Sequence, residues 1–414
     1  MTDSFPPALL QAIEQLDYRA TVGEVAAQAG WDLNRTQQSL LTLAADAGGH
    51  LQVAQSGEMV FLFPPNFRTL LSQKYWRLRW RAFWGRVWRV VFYLIRLSFG
   101  VVLILSILLM LAAIIAILVA LSSKEGDGGG GDDRGWDFFF LPTDIFWIFD
   151  PSAVYNRQDA RGSGQRRELN FLEAVFSFLF GDGDPNHRLD EKRWRLIGAV
   201  LRNRGGAAAG EQILPYLEAV SAQSLETEDY ILPVLARFNG YPQVSEQGEM
   251  VYTFPDLQSA AQERKRSLIP ASLQETPWRF SAASPGQIIG AVFLGGVNLI
   301  LALILGHLLT YDTGLEVINW IAWLYPFLLA YGVGFLAIPL GRYLVLQRLN
   351  QHIRQRNQSR EAQAERLLHP SATLRHKLDF ARSLERIATI KPENLVYSTE
   401  SSVLEQLEGE KDLG

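Results

Sequence analysis

The sequence predicts a mainly α membrane protein with α+β soluble parts: two duplicated winged-helix-like modules joined to about three transmembrane helices. Three observations predict it. Residues 97–121, 288–309 and 317–341 are apolar runs of 25, 22 and 25 positions. A spanning helix needs ~20 such residues at 1.5 Å each to match a hydrocarbon core ~30 Å thick. VAQSGEMVFLFPP (53–65) recurs as VSEQGEMVYTFPD (244–256) at a constant offset of 191, with Gly49 falling on Gly240 and Leu40-Leu41 on Ile231-Leu232. That repetition points to duplication. Basic residues crowd one flank of the first and third runs, which sets an orientation.

The first module takes residues 1–72. Leu9, Leu10, Ile13 and Leu16 share one helical face within residues 6–17. Thr21 caps a second helix through Ala29, with Glu24 completing a capping box. Asn34 caps a third helix carrying Leu40, Leu41 and Leu43. LQV and MVFLF then flank a turn at Ser56-Gly57, a two-stranded wing. The N-terminus lacks a signal peptide, since residues 1–20 are polar and carry Pro6-Pro7, so it is expected to stay on the side of synthesis.

Residues 73–96 form a basic, aromatic interfacial helix. Lys74, Arg77, Arg79, Arg81, Arg86, Arg89 and Arg96 are interleaved with Trp76, Trp80, Trp84 and Trp88. This composition predicts a helix lying among anionic lipid headgroups before the chain turns into the bilayer. The first transmembrane helix is 97–121. The region 122–184 follows, with a flexible GDGGGGDD linker (126–133) and the aromatic segments 136–149 and 169–180.

The second module, 185–262, repeats the pattern with helices near 190–203, 208–220 and 227–238 and a wing at 242–254. A basic linker (263–287) leads to the second transmembrane helix, 288–309. The loop TYDTGLE, with Asp312 and Glu316 and no basic residue, leads to the third, 317–341. The tail 342–414 reads as helix to about 390, with a break near His369-Pro370. It begins basic (Arg342, Arg348, Arg354, Arg356, Arg360) and ends acidic. Both termini are therefore predicted cytoplasmic. Arg264, Lys265, Arg266 and Arg279 also place residues 185–286 inside, which one span cannot satisfy. Either the second module faces outward or a further segment crosses or re-enters; 136–149 and 169–180 are too short for ordinary spans and read as interfacial or protein-buried.

Composition narrows the function. There are 39 basic and 43 acidic side chains, giving a net charge of −4. That opposes a general nucleic-acid binder, which carries a concentrated basic excess. Cysteine is absent, which excludes disulfides, thiolate zinc sites, cysteine nucleophiles and cysteine-ligated clusters on this chain. Asp182, Asp184 and Asn186 begin like a calcium loop, but His187 stands where the turn glycine belongs and Arg193 where the bidentate Glu belongs, so the stretch reads as a turn. The six histidines lack metal-ligand spacing. Within the spans the polar residues are Asn298, His307 and Asn319. Gly290, Gly295, Gly296, Gly332 and Gly334 suit close helix packing, and Pro326 and Pro339 suit kinks. No catalytic, cofactor-binding or metal residue is predicted, and no enzymatic activity.

Five stretches resemble a family of membrane proteins shared by cyanobacteria and plant chloroplasts: RLSFG (96–100), DIFWIFDP (144–151), NFLEAVFSFLFGDGDPN (170–186), YILPVLARFNG (230–240) and VYST (396–399). The resemblance implies a thylakoid, plastid-envelope or plasma-membrane setting with no established activity. Some plant relatives carry a loose label of iron–sulfur cluster biosynthesis, which a chain without cysteine cannot serve by holding a conventional cluster itself. The function expected is an integral membrane scaffold or assembly-type protein. Its partners would be other membrane proteins or a membrane-docked complex, with anionic lipid headgroups at residues 74–96 and nucleic acid disfavoured. The alternatives are a small-solute transporter or channel subunit and a membrane-tethered DNA-binding regulator.

Overall fold

The computed structural model describes residues 5–74, 76–124, 169–218, 222–263, 267–311 and 316–400. The aromatic segment 136–149, the glycine-rich linker 126–133, the stretch DIFWIFDP and the acidic end 401–414 lie outside the described residues.

In chain order the elements are α1 (Pro7–Gln15), β1 (Arg19–Thr21), α2 (Val22–Ala29), α3 (Leu33–Ala47), β2 (His50–Ala54), β3 (Met59–Leu62), α4 (Phe67–Lys74) and α5 (Trp76–Lys124). Then come α6 (Phe171–Phe180), α7 (Leu189–Asn203), β4 (Ala207–Ala208), α8 (Ala222–Thr227), α9 (Leu232–Phe238), β5 (Tyr241–Val244), β6 (Met250–Thr253) and β7 (Ser259–Ala260). The chain continues through α10 (Pro285–Leu308), α11 (Glu316–Leu368), α12 (Ala372–Ser383), β8 (Ala388–Thr389) and β9 (Leu395–Ser398). It divides into two compact units: residues 1–82, 185–277 and 351–414 form one, and residues 83–184 and 278–350 the other.

The first unit holds the sheets. Helix α2 opens on the Thr21–Glu24 capping box, in which each side chain accepts from the other residue's backbone N–H. Asp32 caps α3, accepting from the Arg35 N–H at 3.0 Å. The expected cap Asn34 is therefore the second residue of the helix, because an acid two residues earlier already satisfies the free N–H. Strands β1, β3 and β2 form an antiparallel ladder in that order, and β4, β6 and β5 form another. Both hairpins have the same register, Val53 opposite Met59 and Val244 opposite Met250. Gly57 and Gly248 turn both corners with φ of 83°, a conformation that side chains with a Cβ resist.

The two sheet regions differ in their helices. The helix expected near 208–220 is instead a pair of 3₁₀ turns, Gly210–Gln212 and Leu214–Tyr216. Pro215 has no N–H to give an α ladder. The helix expected over 227–238 starts as a 3₁₀ turn at Asp229–Ile231 and becomes α only at Leu232, with Pro233 in its first turn. Leu9, Ile13, Val25, Leu40, Phe61 and Phe67 make one buried core; Ile197, Ile213, Val234, Phe238, Tyr252 and Phe254 make the next. Helices α2 and α7 join the two cores, packing so closely that a Cβ on Gly198 would stand 2.7 Å from the Ala27 Cα.

The tail is helical with the expected break at His369-Pro370, and departs from expectation after Ser383. Helix α11 runs unbroken to Leu368, with Pro326 and Pro339 inside it, and α12 ends at Ser383. Beyond that the chain is extended: β8 pairs in parallel with β7, and β9 adds antiparallel to β2. Leu-Val-Tyr at 395–397 favours strand, and the edge of β2 supplies the missing main-chain partners.

Among the described residues three helices are long and apolar enough to cross a membrane, Phe83–Ser122, Pro285–Leu308 and Asn319–Leu368, their apolar stretches in the second unit. Helix α5 is continuous over 49 residues, ~73 Å at 1.5 Å per residue. No turn separates the arginine–tryptophan stretch from the apolar run, so the geometry of a helix lying flat and then bending in is not the one adopted. No proline interrupts this stretch. Helix α6 is too short to span and packs against the bundle, with Val175, Phe178 and Leu179 buried beside Leu103, Leu294 and Phe335.

Candidate functional site

Polar groups inside the apolar unit converge on one point. The Asn298 side-chain amide of α10 donates to the Ser106 hydroxyl of α5, which donates in turn to the Leu103 carbonyl at 2.8 Å. Both residues are buried. Gly332 of α11 faces the same carboxamide: a Cβ there would stand 3.1 Å from Asn298 Oδ1. One serine, one asparagine and one glycine thus lock three apolar helices in register, the use expected of small and polar residues where lipid offers no hydrophobic drive between helices. Sequence singled out Asn298 and Gly332; Ser106 gave no signal, because serine satisfies itself on its own helix in most apolar segments.

At one end of this bundle Phe99 packs edge-on to Phe176 and Phe180, and Gln287 donates to the Leu169 carbonyl at 2.6 Å. The Arg342 guanidinium lies over the Phe280 ring and donates to the Phe280 and Ser177 carbonyls. Asp182 accepts from Ser177 and from the Ala282 N–H, at 2.8 and 2.7 Å, so it works as a backbone staple. At the other end Ile117 packs with Leu305, Leu308 and Leu309. Lys124 and Leu169 therefore stand at opposite ends of the bundle. His307 meets Tyr311 edge-on at 5.7 Å, and Asn319 sits beside the exposed Trp320 and Trp323. Asn298, His307 and Asn319 are not brought together.

In the sheet-bearing unit, buried charges anchor the chain to itself. Lys377 of α12 is only 7% exposed and reaches Glu228 at 2.5 Å and Glu211 at 2.9 Å. Tyr252 donates to the same Glu228 at 2.7 Å. Burial first, and then these carboxylates, push the Tyr230 and Tyr252 hydroxyls well above the usual phenol range. Arg19 donates to the carbonyls of Ala261 and Ile390, while Glu24 accepts from the Ala261 N–H at 3.0 Å. None of these pairs was legible in sequence, because their members lie more than 100 residues apart, save those within the second sheet region.

The two basic residues on the helices that would dock DNA are already engaged. Arg35 stacks over Trp31 at 4.7 Å. Arg237 stacks over Trp194 at 3.9 Å and donates to the Gly30 carbonyl at 2.6 Å. The second sheet carries exposed apolar side chains instead: Val244 is 62% exposed, with Tyr241 and Met250 also exposed, and Leu232 is exposed at the start of α9.

Over 415 residues this sequence is 36% identical to an uncharacterised chloroplastic protein of Arabidopsis thaliana, At5g03900, covering 96% of this chain and 79% of that protein. The chain belongs to the family of that protein. The plastid side of the expected resemblance therefore holds, and the three apolar helices found among the described residues of this chain allow membrane insertion. No family model matches the sequence, and no solved structure matches it. Among the described residues no cluster of three or more His, Cys, Asp or Glu is placed to hold a metal ion.

Proposed function

We propose that this protein is an integral membrane scaffold of the assembly type, whose soluble modules bind protein partners beside the bilayer. The observation that carries the reading is the exposed apolar pair Val244 and Met250, directly opposite on the β5–β6 hairpin of a unit whose buried charges are spent on internal contacts. Exposed apolar patches on otherwise well-packed surfaces mark interaction sites. We read the two sheet regions as duplicated winged-helix modules. Their common strand order, common hairpin register and the 191-residue offset support that reading. The stacking of Arg35 and Arg237 on tryptophan favours protein over nucleic acid, since phosphate contact needs several free cations on one face.

The proposed setting is a thylakoid, plastid-type or plasma membrane, with both termini on the cytoplasmic or stromal side. Lys74 and the arginines of residues 77–96, and those that follow residue 341, support this orientation through the positive-inside rule. The same arginines and the four tryptophans of α5 would meet anionic headgroups at that surface.

Affinity purification of the full chain from mild detergent tests the reading. Reproducible recovery of a membrane protein or a membrane-docked complex is the expected result. Absence of any stoichiometric protein partner, together with specific retention of a DNA fragment at physiological salt, would overturn it in favour of a tethered DNA-binding regulator.

A further inference from the structure

The two small sheets are alike in order and register and unlike at one edge. In the first, the outer strand β2 is covered by β9, giving the order β1-β3-β2-β9. In the second, β5 ends the ladder β4-β6-β5, and no fourth strand pairs with it among the described residues. All four residues of β5 are exposed. A strand edge left open is a template for another strand, and native proteins usually cover or blunt it.

From this asymmetry we infer that β5 is a strand-accepting site for an extended segment of a protein partner, taken up antiparallel in the register that β9 has on β2. The inference rests on the scaffold reading above and names its surface. Ser245 N–H bonds the Glu249 carbonyl, so the alternation of an antiparallel ladder turns the main-chain groups of Pro242 and Val244 away from β6. Their counterparts on β2 are Leu51 and Val53, both of which meet the β9 segment, as does the Gln55 N–H through the Asn394 carbonyl.

Pro242 lacks an N–H and at first sight protects the edge. The β9 contact shows what that proline removes. Leu51 accepts the Thr399 N–H on its carbonyl at 2.9 Å, while its own N–H goes to the Thr399 hydroxyl and not to a main-chain carbonyl. Pro242 keeps the carbonyl and forgoes only the bond to a side chain. Val244 keeps both main-chain groups.

The chemistry of the incoming segment follows from the surroundings. Val244 and Met250 on one face, and Tyr241 on the other, offer apolar contacts to an extended segment with apolar side chains. Residues 238–263 contain Glu246, Glu249, Asp256 and Glu263 and no lysine or arginine, so the segment should carry basic residues at its flanks.

The test uses the full chain in mild detergent and a fluorescent peptide in which residues 394–399 of β9 are flanked by two lysines on each side. Saturable binding is expected, read by anisotropy, with slowed amide exchange at Val244. V244P removes the outward N–H of β5 itself and should weaken binding about tenfold, the worth of one main-chain hydrogen bond. E246K/E249K leaves the backbone donor in place and should weaken binding severalfold at low salt, less at high salt. Unchanged affinity in both variants would overturn the proposal. So would slowed exchange at β2 in place of β5, or a peptide-free dimer lost in V244P, which would make a second copy the occupant. If V244P still captures the partners recovered by the parent chain, the scaffold reading stands and β5 is not its surface.

Discussion

Arg360 and Glu275, each almost wholly buried, meet at 2.8 Å and tie α11 to the segment that precedes residue 277. The guanidinium also donates from Nε to the Leu217 carbonyl at 2.9 Å, and Arg356 takes the second oxygen of Glu275. Replacing Glu275 by Gln leaves a buried cation without its counter-charge, which costs ~3–5 kcal/mol when one partner of a buried pair is removed. Thermal unfolding in detergent should show E275Q well below the parent, and an unchanged midpoint would refute the buried-pair account.

The same carboxylate sets an acid limit. Burial alone would raise its pKa, but the two guanidiniums outweigh burial and hold it below its ordinary 4.5. A group depressed in the folded state stabilises above its unfolded pKa and loses that stabilisation as pH falls through the folded value. The midpoint of the parent should therefore drop more steeply below pH 4.5 than that of E275Q, which has nothing there to protonate.

Lys377 predicts the opposite limb. Burial lowers its pKa, but Glu228 and Glu211 outweigh that effect and raise it above 10.5. Its contribution is complete below the unfolded value and fades as pH rises through the folded one. K377M should flatten the alkaline loss of stability and cost ~1–3 kcal/mol at neutral pH, through two carboxylates left without their donor. Hydrogen exchange should quicken over Ala372–Ser383 and remain unchanged in the β2–β3 hairpin.

Inside the apolar unit, Ser106→Ala should remove the acceptor for the Asn298 amide and cost ~0.6–2 kcal/mol, the range for hydrogen bonds between helices in lipid. Gly332→Leu should cost more, because even a Cβ there would stand 3.1 Å from Asn298 Oδ1 and 3.3 Å from the Leu299 Cα. Denaturation by increasing sodium dodecyl sulfate ranks the two variants, and S106A equal to or worse than G332L would contradict this packing.

Gly198→Val probes the joint between the two cores. A side chain there meets the Ala27 backbone at 2.6–2.7 Å and must push α2 and α7 apart, for ~1–3 kcal/mol or more of overpacking strain. Faster exchange in both helices, with the hairpins intact, is the expected pattern.

Sequence alone determined the local and periodic features. Three uncharged apolar runs were legible because membrane length is a one-dimensional property. The Thr21–Glu24 box was legible because capping acts over three residues. GEMV at both hairpins was legible because a tight turn restricts its own residues. Sequence failed where a proline was weighed too lightly, at Pro215, and where it expected a turn after the arginine–tryptophan stretch that α5 does not make. Tertiary structure alone decided the rest: β9 on β2, Lys377 between Glu211 and Glu228, Arg360 on Glu275, Ser106 on Asn298. Each pairs residues 85 or more positions apart, and no periodicity encodes which distant edge or charge a segment will find. The reason is physical: those contacts are chosen by which buried donors, acceptors and strand edges remain unsatisfied once local structure has formed, and only the packed chain reveals them.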